Sequence, residues 1–530
     1  MDRQQTRIPG ITKVAISGAT LATFLAMAII LARVAALPLM PIDETRYLSV
    51  AWEMWQHQAF LVPLLNGEAY SHKPPLLFWL IQLGWWLFGT SDWVARLVIP
   101  AVGLAGFWLS ADLVRQLDPG ARREAWWAPL VLLGTTLWFL YLPLSMFDIL
   151  LSVCLLLAVD GWLHYLRTGH RRMVILAGLG LGLGVLAKGP VIFIYWLPLA
   201  LATRFWWPDK ALRQAKTWTA LLAASLLGGL IGLAWAIPAA IAGGTDYANA
   251  ILWHQAAGRV THAFDHARPW YWYLPALLIA LLPWSVSSLW RRPWAATPLQ
   301  RFAVWGSLPP LILLSLISGK QAHYLMPTLP FLAIWLSLQL VAQPPGRQWG
   351  VALLLLGMTG LMALLPDIVV RIFPQAPLSS WSRLGALIPL ALTLWLLSRP
   401  CRAALVLAWP LTLFTLLLLL SPAIRGYYDL RPMAERLAML EAQSPLAYAG
   451  EYHNQFRFLG RLETDLTVID DDRAVADWAA RHPGGRIIEV LRRPTSRQGE
   501  IASYHQPYRG RVYLIVPAER WQAFIAAGSG

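Results

Sequence analysis

The sequence predicts an α-helical polytopic membrane protein with about thirteen spans and a small α/β domain at its carboxyl end. Three observations predict this fold class. Hydrophobic residues make up 57% of the chain and charged residues 13%, whereas soluble domains are about half apolar and a quarter charged. Apolar runs close to the roughly 20 residues that span a bilayer recur along the chain, separated by short basic loops. From about residue 425 the composition becomes polar.

The charge distribution and the two cysteines argue against a nucleic-acid-binding protein, a disulfide-rich protein and a zinc protein. The formal net charge is +15, but the Lys and Arg residues lie in short loops between apolar runs, which is typical of topology signals rather than nucleic-acid binding. Cys154 and Cys401 have no Cys-x-x-Cys or Cys/His spacing, so they predict neither a disulfide framework nor a zinc site. We therefore expect the lipid bilayer as a partner and no nucleic acid.

The first predicted span covers residues 14–36. It follows Arg3, Arg7 and Lys13, and its length suits an uncleaved helix better than a signal peptide. Because short basic segments stay in the cytoplasm, this helix runs from inside to outside. The charged motif of residues 43–47, Asp-Glu-Thr-Arg-Tyr, then emerges on the outer face.

The segment that follows is expected to lie along the outer surface. Residues 45–57 have a mixed apolar and polar pattern that predicts an amphipathic helix, and 76–90 is apolar but short for a span. Residues 93–117 end before a cluster of arginines, which places that end in the cytoplasm. Two crossings are already supplied by 14–36 and 93–117, so residues about 45–90 form juxtamembrane helices at the outer face.

The rest of the membrane domain, predicted as residues 1–424, alternates across the bilayer in the same way. Its remaining spans are expected at 125–142, 146–166, 173–187, 190–205, 217–242, 271–290, 303–317, 325–342, 349–366, 384–398 and 403–421. This count leaves the amino end inside and the carboxyl end outside.

The second domain, residues 425–530, is predicted to be α/β and to lie in the periplasm. Short β-type runs alternate there with helical ones, and this alternation is typical of such domains. The β-type runs are Leu446–Ala449, Leu466–Ile469, Ile487–Leu491 and Val512–Val516. The helical runs are Met433–Glu441, Arg473–Ala480 and Glu519–Ala527.

The charges that break the cytoplasmic pattern all fall on the outer side. They are Asp43, Glu44, Arg46, His72, Lys73, Asp148, Lys188, Arg259 and Lys320, with Tyr324 beside the last of them. Ionisable groups near the membrane are costly, so they indicate a function by default. Acids and bases from distant segments converge on one rim there, and Lys, Arg and Tyr side chains suit an anionic, phosphate-bearing ligand.

Most of these residues also have a structural interpretation. Asp43 or Asp148 could cap a helix, and Lys73 or Lys188 could extend its ammonium to the membrane interface. Glu44 and Arg46 could simply pair with each other, Arg259 could form a loop salt bridge, and Tyr324 could belong to an aromatic belt. The polar-loop residues His254, His262, Asp265 and His266 fit no standard zinc spacing, and a plain polar loop is the simpler interpretation.

A series of short motifs now resembles a known family. The motifs are residues 43–47, 72–80 (HKPPLLFWL), 147–148, 187–190 (AKGP), 253–259, 268–273 (RPWYWY), 319–320 and 324–327. Their order over roughly residues 14–421 resembles the GT-C glycosyltransferases of the aminoarabinose-transferase (ArnT) and protein O-mannosyltransferase type.

The resemblance implies an activity and a site. Such enzymes move one sugar from a polyprenyl-phosphate donor, undecaprenyl phosphate in bacteria, at the outer face of the inner membrane. The implied donor-phosphate residues are Lys73, Lys188, Arg259, Lys320 and Tyr324. The implied catalytic residues are Asp43, Asp148 and Glu44. Fixed cations aimed at the leaving phosphate stabilise the transition state more than the ground state.

No cofactor is required on this scheme, because side-chain cations neutralise the leaving group. The aminoarabinose transferases are expected to carry a Glu before the Lys-Pro pair and a Glu-His pair before the outer arginine. This chain has His72, Gln255 and Ala256 at those positions. A divalent metal site built from those groups would be altered or absent.

We therefore expect a multi-pass inner-membrane transferase that modifies an envelope glycolipid such as lipid A or lipopolysaccharide. Its expected partners are a polyprenyl-phosphate-linked sugar donor and a glycolipid acceptor, with the oligomeric state left open. Transfer to a protein is the alternative enzyme. A flippase for the lipid-linked sugar is the alternative from another class, but it would need charges at the bilayer midplane or at both faces.

Overall fold

The computed structural model describes residues 17–207, 215–251, 267–291, 296–374, 378–492 and 495–528. Within these ranges ten helical segments are long and apolar enough to cross a membrane, so the chain is a multi-pass membrane protein. These segments are Gly18–Ala36, Asp92–Leu117, Phe147–Thr168, Arg171–Leu201, Ala215–Asn249, Pro298–Leu316, Ala322–Ala342, Trp349–Ile372, Ser380–Ser398 and Arg402–Glu441.

The helices of the membrane part begin and end within a few residues of most predicted spans. The first eleven are α1 (Gly18–Ala36), α2 (Asp43–Gln56), α3 (Leu76–Phe88), α4 (Asp92–Leu117), α5 (Arg122–Leu133), α6 (Thr136–Tyr141), α7 (Phe147–Thr168), α8 (Arg171–Lys188), α9 (Ile192–Leu201), α10 (Thr203–Trp206) and α11 (Ala215–Asn249). The next six are α12 (Tyr273–Ala280), α13 (Pro298–Leu316), α14 (Leu329–Ala342), α15 (Trp349–Ile372), α16 (Leu387–Ser398) and α17 (Arg402–Tyr428).

Three of the thirteen predicted spans are not single continuous helices. The segment 125–142 is divided into the two helices α5 and α6. At the interruption, the backbone N–H of Thr136 donates to the carbonyl of Leu282 at 3.1 Å instead of to its own helix. The segment 190–205 contains Pro198 and gives only the short helices α9 and α10. The segment 271–290 gives α12, which ends before Pro283. Proline removes a backbone donor, so apolar composition alone overstates helix length here.

Helices α7 and α8 form an antiparallel hairpin. The start of α7 and the end of α8 lie together at the end away from the connecting turn, which we call the open end of the hairpin. Gly169 joins the two helices in a left-handed conformation (φ +69°). The helices pack closely, because a Cβ on Gly161 would lie 2.7 Å from the Ala177 nitrogen and one on Gly180 would lie 2.6 Å from that of Ala158. Residues at the start of α7 and the end of α8 therefore share one end of the hairpin, and Asp148 and Lys188 are at these positions.

Between α2 and α3 lies a small hairpin of β1 (Leu64–Leu65) and β2 (Glu68–Ala69). Its turn is Asn66-Gly67, with φ of +54° and +79°, the pair that two-residue hairpin turns favour. The hairpin directs the chain into His72 and Lys73, and α3 follows. With 13 residues, α3 is too short to cross a bilayer of about 30 Å, as its sequence predicted.

The carboxyl-terminal part is α/β, which confirms the prediction. Its helices are α18 (Arg431–Glu441), α19 (Arg457–Gly460), α20 (Asp472–Arg481), α21 (Ser496–Ile501) and α22 (Ala518–Gly528). Its strands are β3 (Leu446–Ala449), β4 (Thr467–Ile469), β5 (Arg486–Leu491), β6 (Tyr504–Tyr508) and β7 (Arg511–Pro517), in the order β4-β3-β5-β7-β6. Strand β3 is parallel to both neighbours, and β7 is antiparallel to β5 and β6. The domain boundary at residue 425 stays a prediction, since α17 runs on to Tyr428.

Buried polar contacts fasten this domain onto α2. Glu53 accepts hydrogen bonds from the backbone N–H groups of Asn66 at 2.8 Å and Gly67 at 2.6 Å. The Arg457 guanidinium lies 4.0 Å from the same carboxylate and 2.5 Å from Asp465. Burial raises the pKa of Glu53, and the backbone donors and Arg457 oppose this rise. Residues about 400 positions apart thus hold one joint between the membrane part and the sheet.

Candidate active site

A buried ion pair forms the centre of the candidate site. The Lys188 ammonium donates to an Asp148 carboxylate oxygen at 2.5 Å, and both side chains are at most 5% exposed. Asp148 lies in the first turn of α7 and Lys188 is the last residue of α8, so both helix dipoles favour the charges they meet. A buried charge needs such a partner, because desolvation is costly.

His323 and Tyr324 complete this pair from the segment before α14. The His323 Nε2 atom lies 3.8 Å from the second Asp148 oxygen, and the Lys188 ammonium lies 4.4 Å from the centre of the Tyr324 ring. The hydroxyl of Tyr195 donates to the Tyr324 carbonyl at 2.8 Å and so fixes this segment. Sequence reasoning missed His323, although its place between Lys320 and Tyr324 at an outer turn was a usable signal.

Lys73 and Asp43 approach the same cluster from the juxtamembrane segment. The Lys73 ammonium lies 5.8 Å from the centre of the Phe147 ring and is close enough to Asp148 and His323 to interact electrostatically. Asp43 is exposed and also interacts with His323. The structure therefore brings together Asp43, Lys73, Asp148, Lys188 and Tyr324, which the sequence had placed on one rim. We call these five residues and His323 the Asp148 cluster.

Tyr47 connects Asp43 with the aromatic floor of the site. Its hydroxyl donates to an Asp43 oxygen at 3.4 Å, and its ring meets that of Phe147 with centres 4.8 Å apart. Burial raises the pKa of Tyr47, and the negative charges of Asp43 and Asp148 raise it further. The hydroxyl therefore stays protonated and remains a hydrogen-bond donor.

Glu44 has a different environment from Asp43. It is 1% exposed, and its carboxylate accepts from the Arg33 guanidinium at 3.4 Å and from the backbone N–H groups of Met40 at 2.9 Å and Ser145 at 3.3 Å. The suggested pairing with Arg46 is wrong, because Arg46 instead donates to His453 of the sheet domain at 3.3 Å. These contacts suit a positioning role for Glu44, and its catalytic role stays a prediction.

Lys320 fastens the end of a polar loop. It is 3% exposed, and its ammonium donates to the Arg268 carbonyl at 3.1 Å and to the carbonyl of Ile317. Ala267 and Gly319 form an isolated β-bridge beside it. Arg259, the predicted phosphate ligand, lies outside the described residues, as do Gln255, Ala256 and the loop histidines. Lys320 therefore holds the point where this loop rejoins the described chain, and its predicted contact with phosphate stays a prediction.

Within the described parts of the chain, Asp112, Asp160 and His164 form one group that could hold a metal ion, near the end of α7 opposite Asp148. The amide of Gln116 donates to Asp112 at 2.7 Å and to Asp160 at 2.6 Å, and His164 Nε2 stands 3.7 Å from Asp112. This group is separate from the Asp148 cluster, so it takes no part in the chemistry considered there.

Known proteins resemble this chain in sequence and in fold. Residues 72–241 match the family model described as dolichyl-phosphate-mannose-protein mannosyltransferase. The undecaprenyl phosphate-alpha-4-amino-4-deoxy-L-arabinose arabinosyl transferase of Pseudomonas aeruginosa is 31% identical over 315 residues, which are 56% of this chain and 55% of that protein. In sequence, the chain thus spans about half the length of the curated relatives it matches.

Two crystal structures of ArnT from Cupriavidus metallidurans share the architecture. The apo structure has a TM-score of 0.72 at 20% identity and covers 94% of this chain and 98% of that chain. The structure bound to undecaprenyl phosphate has a TM-score of 0.69 at 21% identity, with coverages of 93% and 97%. The chain therefore has the fold of the ArnT structures, and it resembles the GT-C glycosyltransferases in sequence, as its motifs predicted.

Proposed function

We propose that this protein transfers a single sugar from a polyprenyl-phosphate donor to an envelope glycolipid, most simply lipid A or a related saccharide. The observation that carries the proposal is the Asp148 cluster, in which two lysines and a histidine interact with one buried carboxylate and a tyrosine ring lies against one of the lysines. The similar transferase is named for an undecaprenyl-phosphate sugar, and one ArnT structure is bound to undecaprenyl phosphate. Both support a polyprenyl phosphate as the donor's lipid carrier here.

The donor phosphate would be held by Lys73 and Lys188. In the reaction the bond between the sugar C1 and the phosphate oxygen breaks, and the polyprenyl phosphate leaves with growing negative charge. Cations already fixed by Asp148 and by the Phe147 and Tyr324 rings stabilise that charge without rearranging at the moment of reaction.

The acceptor would approach past Asp43, the exposed member of the cluster. If the acceptor group is a hydroxyl, the Asp43 carboxylate can take its proton as the new bond to C1 forms. If the acceptor group is itself a phosphate, no proton needs removing, and Asp43 orients it. Either way the Tyr47 hydroxyl, which donates to Asp43, fixes the direction of the carboxylate.

The distribution of basic residues supports an outer, periplasmic site in the inner membrane. The closed end of the α7–α8 hairpin carries Arg167, Arg171 and Arg172, and Asp148 and Lys188 lie at the open end. Basic short loops stay in the cytoplasm, so the open end and the sheet domain would face the periplasm.

The test is a transfer assay with purified protein in lipid nanodiscs. A radiolabelled polyprenyl-phosphate sugar is supplied with a lipid A acceptor or a peptide acceptor, and labelled products are separated. We expect label on the glycolipid together with free polyprenyl phosphate. Label on the peptide would overturn the acceptor class in favour of protein glycosylation. The same protein is also reconstituted in sealed vesicles, where movement of intact donor between leaflets without transfer would overturn the enzyme class in favour of a flippase.

A further inference from the structure

A cavity of about 430 Å³ lies between the sheet domain and the start of α2. Its size falls within the roughly 300–1,000 Å³ of small-molecule sites. Ile42, which precedes Asp43, forms the wall on the membrane side, and residues of the sheet domain form the rest. The cavity thus opens beside the one exposed carboxylate of the Asp148 cluster.

Asp43 interacts electrostatically with one residue of the cavity and with one residue of that cluster. Its charge interacts with His453, which lines the cavity, and with His323, which contacts Asp148. Arg46, one turn after Asp43 on α2, donates to the Nδ1 atom of His453 at 3.3 Å. A charged ligand in the cavity would therefore lie near residues that also interact with Asp43.

Two arginines stand at the rim of the cavity on the β6–β7 hairpin. Arg509 and Gly510 form its two-residue turn with φ of +51° and +71°, and Tyr508 pairs with Arg511 on either side. Positive φ is uncommon for arginine, and here the Arg509 backbone N–H donates to the Tyr427 carbonyl at 3.1 Å, which holds the turn. Both guanidinium groups are exposed, and within the described ranges neither forms an ion pair.

The inner wall of the cavity is made of tyrosines. The rings of Tyr508 and Tyr513 have centres 5.1 Å apart, and Tyr448 lines the cavity beside them. The Gln455 amide donates to the Tyr513 hydroxyl at 2.9 Å and so fixes that ring. Burial raises the pKa of all three tyrosines, so their hydroxyls stay protonated and can donate hydrogen bonds.

We propose that this cavity is the acceptor site and that it binds the anionic, phosphate-bearing saccharide of a glycolipid. The proposal rests on the transferase function proposed above. Arg509 and Arg511 bind the phosphate, because a guanidinium offers paired donors that match phosphate oxygens. The tyrosine wall receives the sugar ring, since a tyrosine combines an apolar face with a polar hydroxyl.

The position of the rim suits a lipid-anchored acceptor. The Arg509 guanidinium lies 5.9 Å from the ring centre of Tyr428, the last residue of the membrane helix α17. A glycolipid can therefore keep its acyl chains beside the membrane helices while its head group enters the cavity. Asp43, which follows the lining residue Ile42 in the chain, then meets the saccharide or phosphate group that receives the sugar.

The test compares kinetics of Arg509→Gln, Arg511→Gln and the double variant with those of wild-type protein. Arg520→Gln is the matched control, since Arg520 is an exposed arginine of the same domain outside the cavity. With saturating donor, we expect the acceptor KM of the double variant to rise by about tenfold or more. The loss of hydrogen bonds to a charged phosphate weakens binding by at least about this factor. The donor KM and the melting temperature stay within error of wild type.

A second acceptor separates phosphate recognition from general damage. The same glycolipid is treated with a phosphatase, and binding of the treated and untreated glycolipid is measured as a Kd without donor, so that the result does not depend on which group receives the sugar. We expect the wild-type Kd for the dephosphorylated glycolipid to rise to the level of the double variant, while the Kd of the variant changes little. This loss of additivity is the signature of a direct pairing between the arginines and the phosphate.

Other outcomes overturn the inference. An acceptor KM that is unchanged in the double variant refutes the site, although the wild-type protein still transfers sugar and the proposed function stands. Equal losses with both acceptors refute phosphate binding by these arginines. An arginine-dependent KM seen only with an acidic peptide acceptor assigns the cavity to a protein substrate. Wild-type protein that labels no acceptor refutes the proposed function itself.

Discussion

Lys188 and Asp148 meet 2.5 Å apart at the buried end of a helix hairpin, whereas Arg509 and Arg511 stand exposed at the rim of a cavity. The first pair is neutralised before any ligand arrives, and its geometry is fixed by two helix ends. The second pair is held by a strand turn and remains solvated. On the roles proposed above, the same chemistry, a cation facing phosphate, serves the reaction rate at the first pair and recognition at the second. Mutation should therefore affect turnover and stability at the first pair and affinity alone at the second.

Lys188→Met should have the largest effect. It leaves the Asp148 charge buried without its closest cation, which costs about 3–5 kcal/mol of stability. It also removes a cation from the leaving phosphate, so kcat should fall by at least about a hundredfold. Thermal unfolding and donor turnover in nanodiscs measure the two losses, with the exposed Lys216→Met as control. A stable and active Lys188→Met protein would break the contrast with the arginines.

Asp43→Asn should follow, with a loss confined to turnover. Asp43 is exposed, so its neutralisation leaves no buried charge and the melting temperature should not change. If the acceptor is a hydroxyl, kcat should fall by about a hundredfold, the typical contribution of a general base. Binding of radiolabelled donor should stay within twofold of wild type. Asp470→Asn, another exposed carboxylate, serves as the control, and weakened donor binding would contradict this division of roles.

Glu53→Gln tests whether the Asp148 cluster and the cavity can be affected separately. Glu53 lies at the joint between the membrane part and the sheet domain. The amide replaces an acceptor of two backbone hydrogen bonds with a group that accepts on one side only, at a cost of about 1–3 kcal/mol. We expect faster hydrogen exchange in the sheet domain and a higher acceptor KM, with an unchanged donor KM. Glu68→Gln, exposed on the same hairpin, should change neither quantity. Equal changes in both KM values would mean that the joint supports the whole site.

The smallest expected effect is a pH dependence at His453. Arginine can only donate, so His453 must be neutral at Nδ1 to accept from Arg46. Burial lowers the pKa of His453, and the charges of Arg46 and Arg509 lower it further, while Glu451 and Asp43 oppose them. The unfolded chain takes up this proton first as the pH falls. Stability from His453 is therefore present above the ordinary histidine pKa of about 6.5 and is lost below it.

Melting temperatures at pH 7.5 and pH 5.5 measure this effect. The fall on acidification should be larger in wild type than in His453→Gln, by on the order of 1 °C. His505→Gln, an exposed histidine on β6, should behave as wild type. An identical fall in wild type and in His453→Gln would show that the Arg46 contact does not stabilise the folded protein.

Local patterns predicted most of the fold and the centre of the site. The hairpin of α7 and α8 followed from two apolar runs with basic residues between them, and it necessarily brings Asp148 and Lys188 to one end. Strand β6 was missed because Tyr504–Tyr508 contains Pro507 and alternates weakly. His323 was missed because a single histidine beside an apolar helix carries no periodic signal.

The partners of Glu44 and the cavity depend on contacts that no local pattern contains. Arg33 approaches Glu44 across the turn between α1 and α2, and Ser145 joins them from a segment about 100 residues away. The cavity forms where the sheet domain meets Ile42 across about 400 residues of sequence. Such contacts are decided by tertiary packing, so sequence spacing could place the arginines in the domain but not in one cavity with Ile42.

The α7–α8 hairpin also bears on how the chain enters the bilayer during biogenesis. A lone ammonium or carboxylate costs several kcal/mol to move through hydrocarbon. Because Lys188 and Asp148 occupy the same open end, a hairpin that inserts as a unit carries them across as one neutral dipole. The contact that prepares the site for phosphate would thus already lower the barrier to translocation, before the remaining helices have been synthesised.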